Sequence, residues 1–116
     1  MSKELQRLRR VYADWDSRLV ESNVYSPFNP AYLFMVQQRQ RETLKLLRRE
    51  GCMSLADKTV LEIGCGSGKI LHEYQSYGVS VTSLHGVDLL WRRVKDAQNK
   101  FRNIFAIQAD AQHLPY

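Results

Sequence analysis

From Leu5 onward, Leu8, Val11, Tyr12, Trp15 and Leu19 recur at steps of three and four residues, which strings them along one stripe of a helix that Ser2 can cap. The pattern breaks between Ser22 and Asn29, where Asn, Ser and Pro27 supply turn chemistry. It resumes after Asn29-Pro30, an N-cap followed by the residue best tolerated at the first helical position. This second helix should run through Leu33, Val36, Leu44 and Leu47 to Arg48-Arg49, whose charge suits a helix C-terminus, and stop at Gly51. The period then changes. Thr59 to Ile63 is an almost unbroken β-branched and aliphatic run, which predicts a buried strand ahead of Gly64, Gly66 and Gly68. Ile70, Leu71 and Tyr74 return to helical spacing up to Gly78, and residues 79–83 carry no clear period. Leu84 to Asp88 is strand-like, Leu90 to Phe101 places Val94, Ala97 and Phe101 at helical intervals, and Ile104 to Ile107 is a third short apolar strand.

The order αα-βαβαβ, with short connections, predicts an α/β fold: the first half of a Rossmann-like, doubly wound parallel sheet, strands one to three, preceded by two N-terminal helices. It divides into a helical segment, residues 1–52, and an α/β half, residues 53–116. One modest domain's worth of chain, 44% hydrophobic and 25% charged, argues against disorder. The longest apolar runs, such as Tyr32 to Val36, are far shorter than the roughly 20 residues that cross a bilayer, and the charged start lacks a signal-peptide core, so a cytoplasmic chain without membrane partners is expected. Cys52, Cys65 and the scattered His72, His85 and His113 lack metal-ligand spacing, which predicts reduced thiols, no metal and surface histidines. Seventeen basic against twelve acidic residues leave a net charge of +5. Because the two signs are interleaved, solvated helix faces are the preferred reading over a nucleic-acid surface, and the same holds for Trp91-Arg92-Arg93 as a helix start.

The segment that carries chemistry is Val60-Leu61-Glu62-Ile63-Gly64-Cys65-Gly66-Ser67-Gly68, at the carboxyl end of the first strand, where open α/β sheets bind ligands. Alternate glycines let the backbone approach a nucleotide-like ligand beside free helix N-terminal amides. The dinucleotide fingerprint G-x-G-x-x-G fails, because its last position counted from Gly64 is Lys69. A phosphate-cradling G-x-x-x-x-G-K-[ST] ending at Gly68-Lys69 fails twice, at Ile63 and Ile70.

What remains, E-x-G-x-G-x-G after a strand, resembles the class I S-adenosylmethionine-dependent methyltransferases. Two further segments agree in order: Gly86-Val87-Asp88-Leu89, with an acidic residue ending the second strand, and Ala109-Asp110-Ala111-Gln112-His113-Leu114-Pro115-Tyr116, similar to the family's D-A-x-x-L-P-[YF]. The resemblance implies S-adenosylmethionine as cofactor. Gly64, Gly66 and Gly68 would pass under its methionine and ribose, with Cys65 and Ser67 offering backbone groups. Glu62 would orient the amino end, Asp88 accept both ribose hydroxyls, Leu89 and Ala111 flank the adenine, and Asp110 receive its exocyclic amine. Each acid also has a local alternative: Glu62 as a strand-end carboxylate, Asp88 as a helix cap, Asp110 as a turn residue. Val11–Asp16 and Pro27–Tyr32 resemble the family's partial lid, with Tyr12 or Tyr25 towards the methionine end, although core packing is the commoner role for such aromatics.

The resemblance implies methyl transfer to an acceptor that the residues do not define, a small molecule being favoured, with no catalytic base nominated. Only the first three strands of the family's sheet are present, so a truncated enzyme portion is expected. The alternatives are a noncatalytic cofactor-binding or protein-interaction module, and a fragment of a nucleic-acid methyltransferase. Thr59 to Ile63 would then form an open sheet edge, inviting self-association or a partner.

Overall fold

A computed structural model describes residues 2–22 and 24–116; the side chains of residues 19–22, and with them Leu19, lie outside the described set. The chain divides into two compact units, Met1–Met53 and Ser54–Tyr116. The first holds α1, Lys3–Ser22, and α2, Pro30–Arg49. Ser2 Oγ accepts the Leu5 N–H at 3.2 Å, as a cap should. Asn29 caps α2 by accepting the Ala31 and Tyr32 N–H groups at 3.1 and 3.4 Å, with Pro30 at the first helical position. The helix closes at Glu50, and Gly51 follows at φ +76°. Tyr12 stacks on Trp15, and Tyr25 meets Tyr32.

The second unit contains β1 (Val60–Ile63), α3 (Lys69–Ser76), a 3-10 turn at Val81–Ser83, β2 (Leu84–Asp88), α4 (Trp91–Lys100) and β3 (Phe105–Gln108). The strands are parallel in the order β1-β2-β3, with Val60 opposite Leu84 and His85 opposite Phe105. Strands added in one direction by crossovers of one hand place both crossover helices on the same face. That face carries Leu84, Gly86 and Ala106, packed with Leu71 of α3 and Val94 and Ala97 of α4; all six are buried. Gln98 Nε2 donates to the Ala106 carbonyl at 2.8 Å and fastens α4 to β3.

The opposite face is covered differently. The register brings Leu61, Ile63, His85, Val87, Phe105 and Ile107 onto it. Val87 is buried, but Ile63 is 55% and Phe105 54% exposed, and Leu61 and Ile107 are also exposed. Of the two expectations for Thr59 to Ile63, the buried strand is corrected and the open sheet edge is found, because β1 has a neighbour on one side only and helices on one face only. His85 is likewise no simple surface residue, since its ring stacks on Phe105 and meets Tyr116 edge-on. Among the described residues, no helix is long and apolar enough to cross a membrane.

Candidate nucleoside-binding site

Because the strands are parallel and in register at Ile63–Val87 and Asp88–Gln108, the connections leaving their carboxyl ends emerge along one edge of the sheet. The first of these is a tight turn. Gly64 and Cys65 both donate their N–H to the Val87 carbonyl, at 2.8 and 3.0 Å, and Gly68 N–H returns to the Cys65 carbonyl at 3.0 Å. Gly64, Gly66 and Gly68 take φ of +78°, +56° and +85°, which L side chains rarely adopt. A Cβ at Gly64 or Gly66 would find nothing within 4 Å, so the dihedrals demand glycine and open space lies over the turn.

Gly68 differs from that expectation. Its Cβ would lie 3.2 Å from Phe101 and 3.4 Å from Ala97 and Ile104, which makes it a packing glycine beneath α4. Cys65 also differs: its N–H is committed to Val87 within the turn. The Ser67 N–H makes no hydrogen bond among the described residues and, with the first-turn amides of α3, remains available to a ligand.

Asp88 closes the turn from the neighbouring strand. Its side chain is 6% exposed, with Oδ2 accepting the Gly66 N–H and Oδ1 the Leu90 N–H, each at 2.9 Å. It caps locally through Leu90, and it ties β2 to the glycine turn. An ionised carboxylate offers about two lone pairs per oxygen, so one on each oxygen is left for a further donor. That spare capacity matches a vicinal diol.

Cys65 fills the space behind the turn. It is 5% exposed, and a Cβ on Gly86 would stand 2.7 Å from its sulfur and 2.9 Å from its Cβ. Burial, with the negative charges of Asp88 and Glu62, raises its thiol from 9.0 to about 11. The group stays protonated near neutral pH, which suits a wedge and disfavours a nucleophile.

The remaining expected residues spread along the same edge. Glu62 is half-buried opposite Gly86 on the helix-covered face. Leu89 is half-buried, and its carbonyl accepts Gln108 Nε2 at 3.0 Å. Asp110 makes turn contacts, its Oδ1 accepting the Gln112 N–H and its carbonyl the His113 N–H, both at 2.9 Å. Ala111 is exposed, and among the described residues no hydrogen bond joins it or Asp110 to the glycine turn. Hydrogen bonds thus join the turn at Gly64, Cys65, Gly66 and Gly68 to Val87 and Asp88, with Leu89 next in the chain and tied to Gln108. Two participants escaped sequence reasoning. Gly86 had a signal, since a glycine inside a strand marks close backbone approach, whereas Gln108 had none.

A family model described as a methyltransferase domain matches residues 60–116. This part of the chain, from the first strand through the third connection, is similar to that family. No curated protein matches the chain. Among solved structures, the YcgJ protein of Bacillus subtilis is 26% identical with a TM-score of 0.49, over 66% of this chain and 33% of that one. A TehB-like SAM-dependent methyltransferase from Corynebacterium glutamicum is 24% identical with a TM-score of 0.44, over 71% and 47%. A Thermoplasma acidophilum protein is 16% identical with a TM-score of 0.47, over 61% and 36%. The matched region therefore spans less than half the length of each of these structures.

The family implies S-adenosylmethionine, and the residues present fit it. Open space over Gly64 and Gly66, spare acceptor capacity on Asp88 and unspent amides at Ser67 and the start of α3 all lie at the first turn.

Proposed function

We propose that the chain supplies the cofactor-binding portion of an S-adenosylmethionine-dependent methyltransferase. The observation that carries this proposal is the bond between Asp88 Oδ2 and the Gly66 N–H, which sets a carboxylate with free lone pairs beside an open glycine turn. Asp88 would accept the ribose hydroxyls, Gly64 and Gly66 would give the ligand room, and Ser67 with the first turn of α3 would offer amides. Leu89, held by Gln108, would border the base. Glu62, Asp110 and Ala111 keep the roles that the family resemblance implies, towards the amino end and the adenine. The bound cofactor supplies an electrophilic methyl group on a sulfonium, which leaves as a neutral thioether. The chain's residues hold that group in place and need form no covalent bond to it. A cytoplasmic setting belongs to the same proposal, as does self-association through the free edge of β1.

Calorimetric titration with S-adenosylhomocysteine tests the cofactor site. Binding by the intact chain is expected, and Asp88→Ala should weaken it by about 1–3 kcal/mol, the scale for hydrogen bonds to a charged group. Equal affinity in the variant would remove Asp88 from the site, and no binding by the parent chain would remove the proposal.

A further inference from the structure

Met1–Met53 contains ten basic and six acidic residues, against seven and six in Ser54–Tyr116, so nearly all of the chain's net charge of +5 belongs to the helical unit. Much of it is gathered on α2. At about 100° per residue, Phe34, Gln37, Gln38, Arg41, Lys45 and Arg48 fall within about 100° of one another on the helix surface. All six are exposed, Phe34 at 66%. The row extends about 21 Å at 1.5 Å per residue. Half-buried Tyr32, Val36 and Leu47 occupy a separate stripe.

One carboxylate borders the row. Glu42 is engaged by Lys45 Nζ at 3.1 Å and Gln38 Nε2 at 3.3 Å. Arg41 and Arg48 have no carboxylate partner among the described residues. Favourable interaction with the helix dipole accounts for Arg48 and Arg49 in the last turn, but the effect fades within one turn. It does not account for Arg41 or for the bare ring of Phe34 two turns earlier.

We propose that this face of α2 binds single-stranded nucleic acid. Arg41, Lys45 and Arg48 neutralise backbone phosphates, Phe34 stacks on a base, and the Gln37 and Gln38 carboxamides meet base edges. A cationic track with an aromatic platform is the combination that single strands use. The row itself suits a polyanionic strand better than a lipid surface, since its one apolar side chain, Phe34, stands among the cations, while the exposed Leu33, Met35, Leu44 and Leu46 of α2 lie outside it. The inference does not depend on the cofactor site.

The test is fluorescence anisotropy with a labelled single-stranded oligoribonucleotide of mixed sequence, titrated with the intact chain over a salt series. Three neutralised phosphates predict that log affinity falls with log salt with a slope of about −2. Arg41→Glu combined with Arg48→Glu should weaken binding at least tenfold and flatten the slope. Phe34→Ala should weaken it about fivefold or more at unchanged slope, the smaller end of base stacking. Circular dichroism on each variant checks that α2 is retained. Absence of binding at low salt, or identical binding by the double variant, overturns the proposal. Tighter binding to phosphatidylserine vesicles than to the oligonucleotide, sensitive to the same substitutions, overturns it in favour of a lipid surface. Titration of the same samples with S-adenosylhomocysteine keeps the two proposals separate: retained nucleoside binding without oligonucleotide binding removes this one alone.

Discussion

The tightest residue-level constraint in the second unit lies where Cys65 meets β2. Gly86→Ala would place a methyl group 2.7 Å from the Cys65 sulfur and 2.9 Å from its Cβ, and neither atom is the loose end of a flexible side chain. Overpacking of this kind typically costs about 1–3 kcal/mol, so the variant should melt measurably lower in a thermal scan. The same thiol gives a pH prediction. Folding raises its pKa from 9.0 to about 11, chiefly through burial. Between those values the unfolded chain loses this proton first, so the thiol's contribution to stability falls as pH rises through that window and is unaffected below it. Alkylation followed by mass spectrometry should find Cys65 inert at pH 8 in the native chain and reactive once the chain is denatured.

At the level of elements, β2 is the one described strand with neighbours on both sides, and its residues are buried except for a half-buried His85. Its amides should be the last to exchange with deuterium, ahead of those of β1 and β3; comparable exchange in all three strands would contradict the sheet order. These elements were legible in the sequence to within a residue or two, because strand and helix periods switch cleanly at Gly51, Gly64 and Gly78. Solvent coverage was less legible. An apolar strand such as Val60–Ile63 reads as buried whether it sits inside a sheet or on its edge, since the run of side chains is the same and the difference lies in what packs nearby. The site divides similarly. Alternating glycines announce a turn with positive φ, but whether each serves the ligand or the packing depends on tertiary neighbours, as Gly68 beneath Phe101 shows. Gln108 was invisible because its partner is a main-chain carbonyl that no side-chain pattern encodes.

For the whole molecule, the exposed Leu61 and Ile63 of β1, at its unpaired edge, and the exposed Phe105 and Ile107 of β3, on the same face of the sheet, form a surface that parallel sheets normally bury. Light scattering across a concentration series should show association, reduced by Ile63→Lys; a monomer at every concentration would count against it. The bond from the Gly66 amide to Asp88 has a different consequence. Because the fold's own hydrogen bond joins main chain and carboxylate, the entropy of ordering the turn is spent during folding, and the proposed adenosyl ligand would meet a socket whose shape precedes it. Side-chain identity at position 67 then matters little to recognition, while any change that lets the two strands slide past each other spoils the socket without touching a single contact atom.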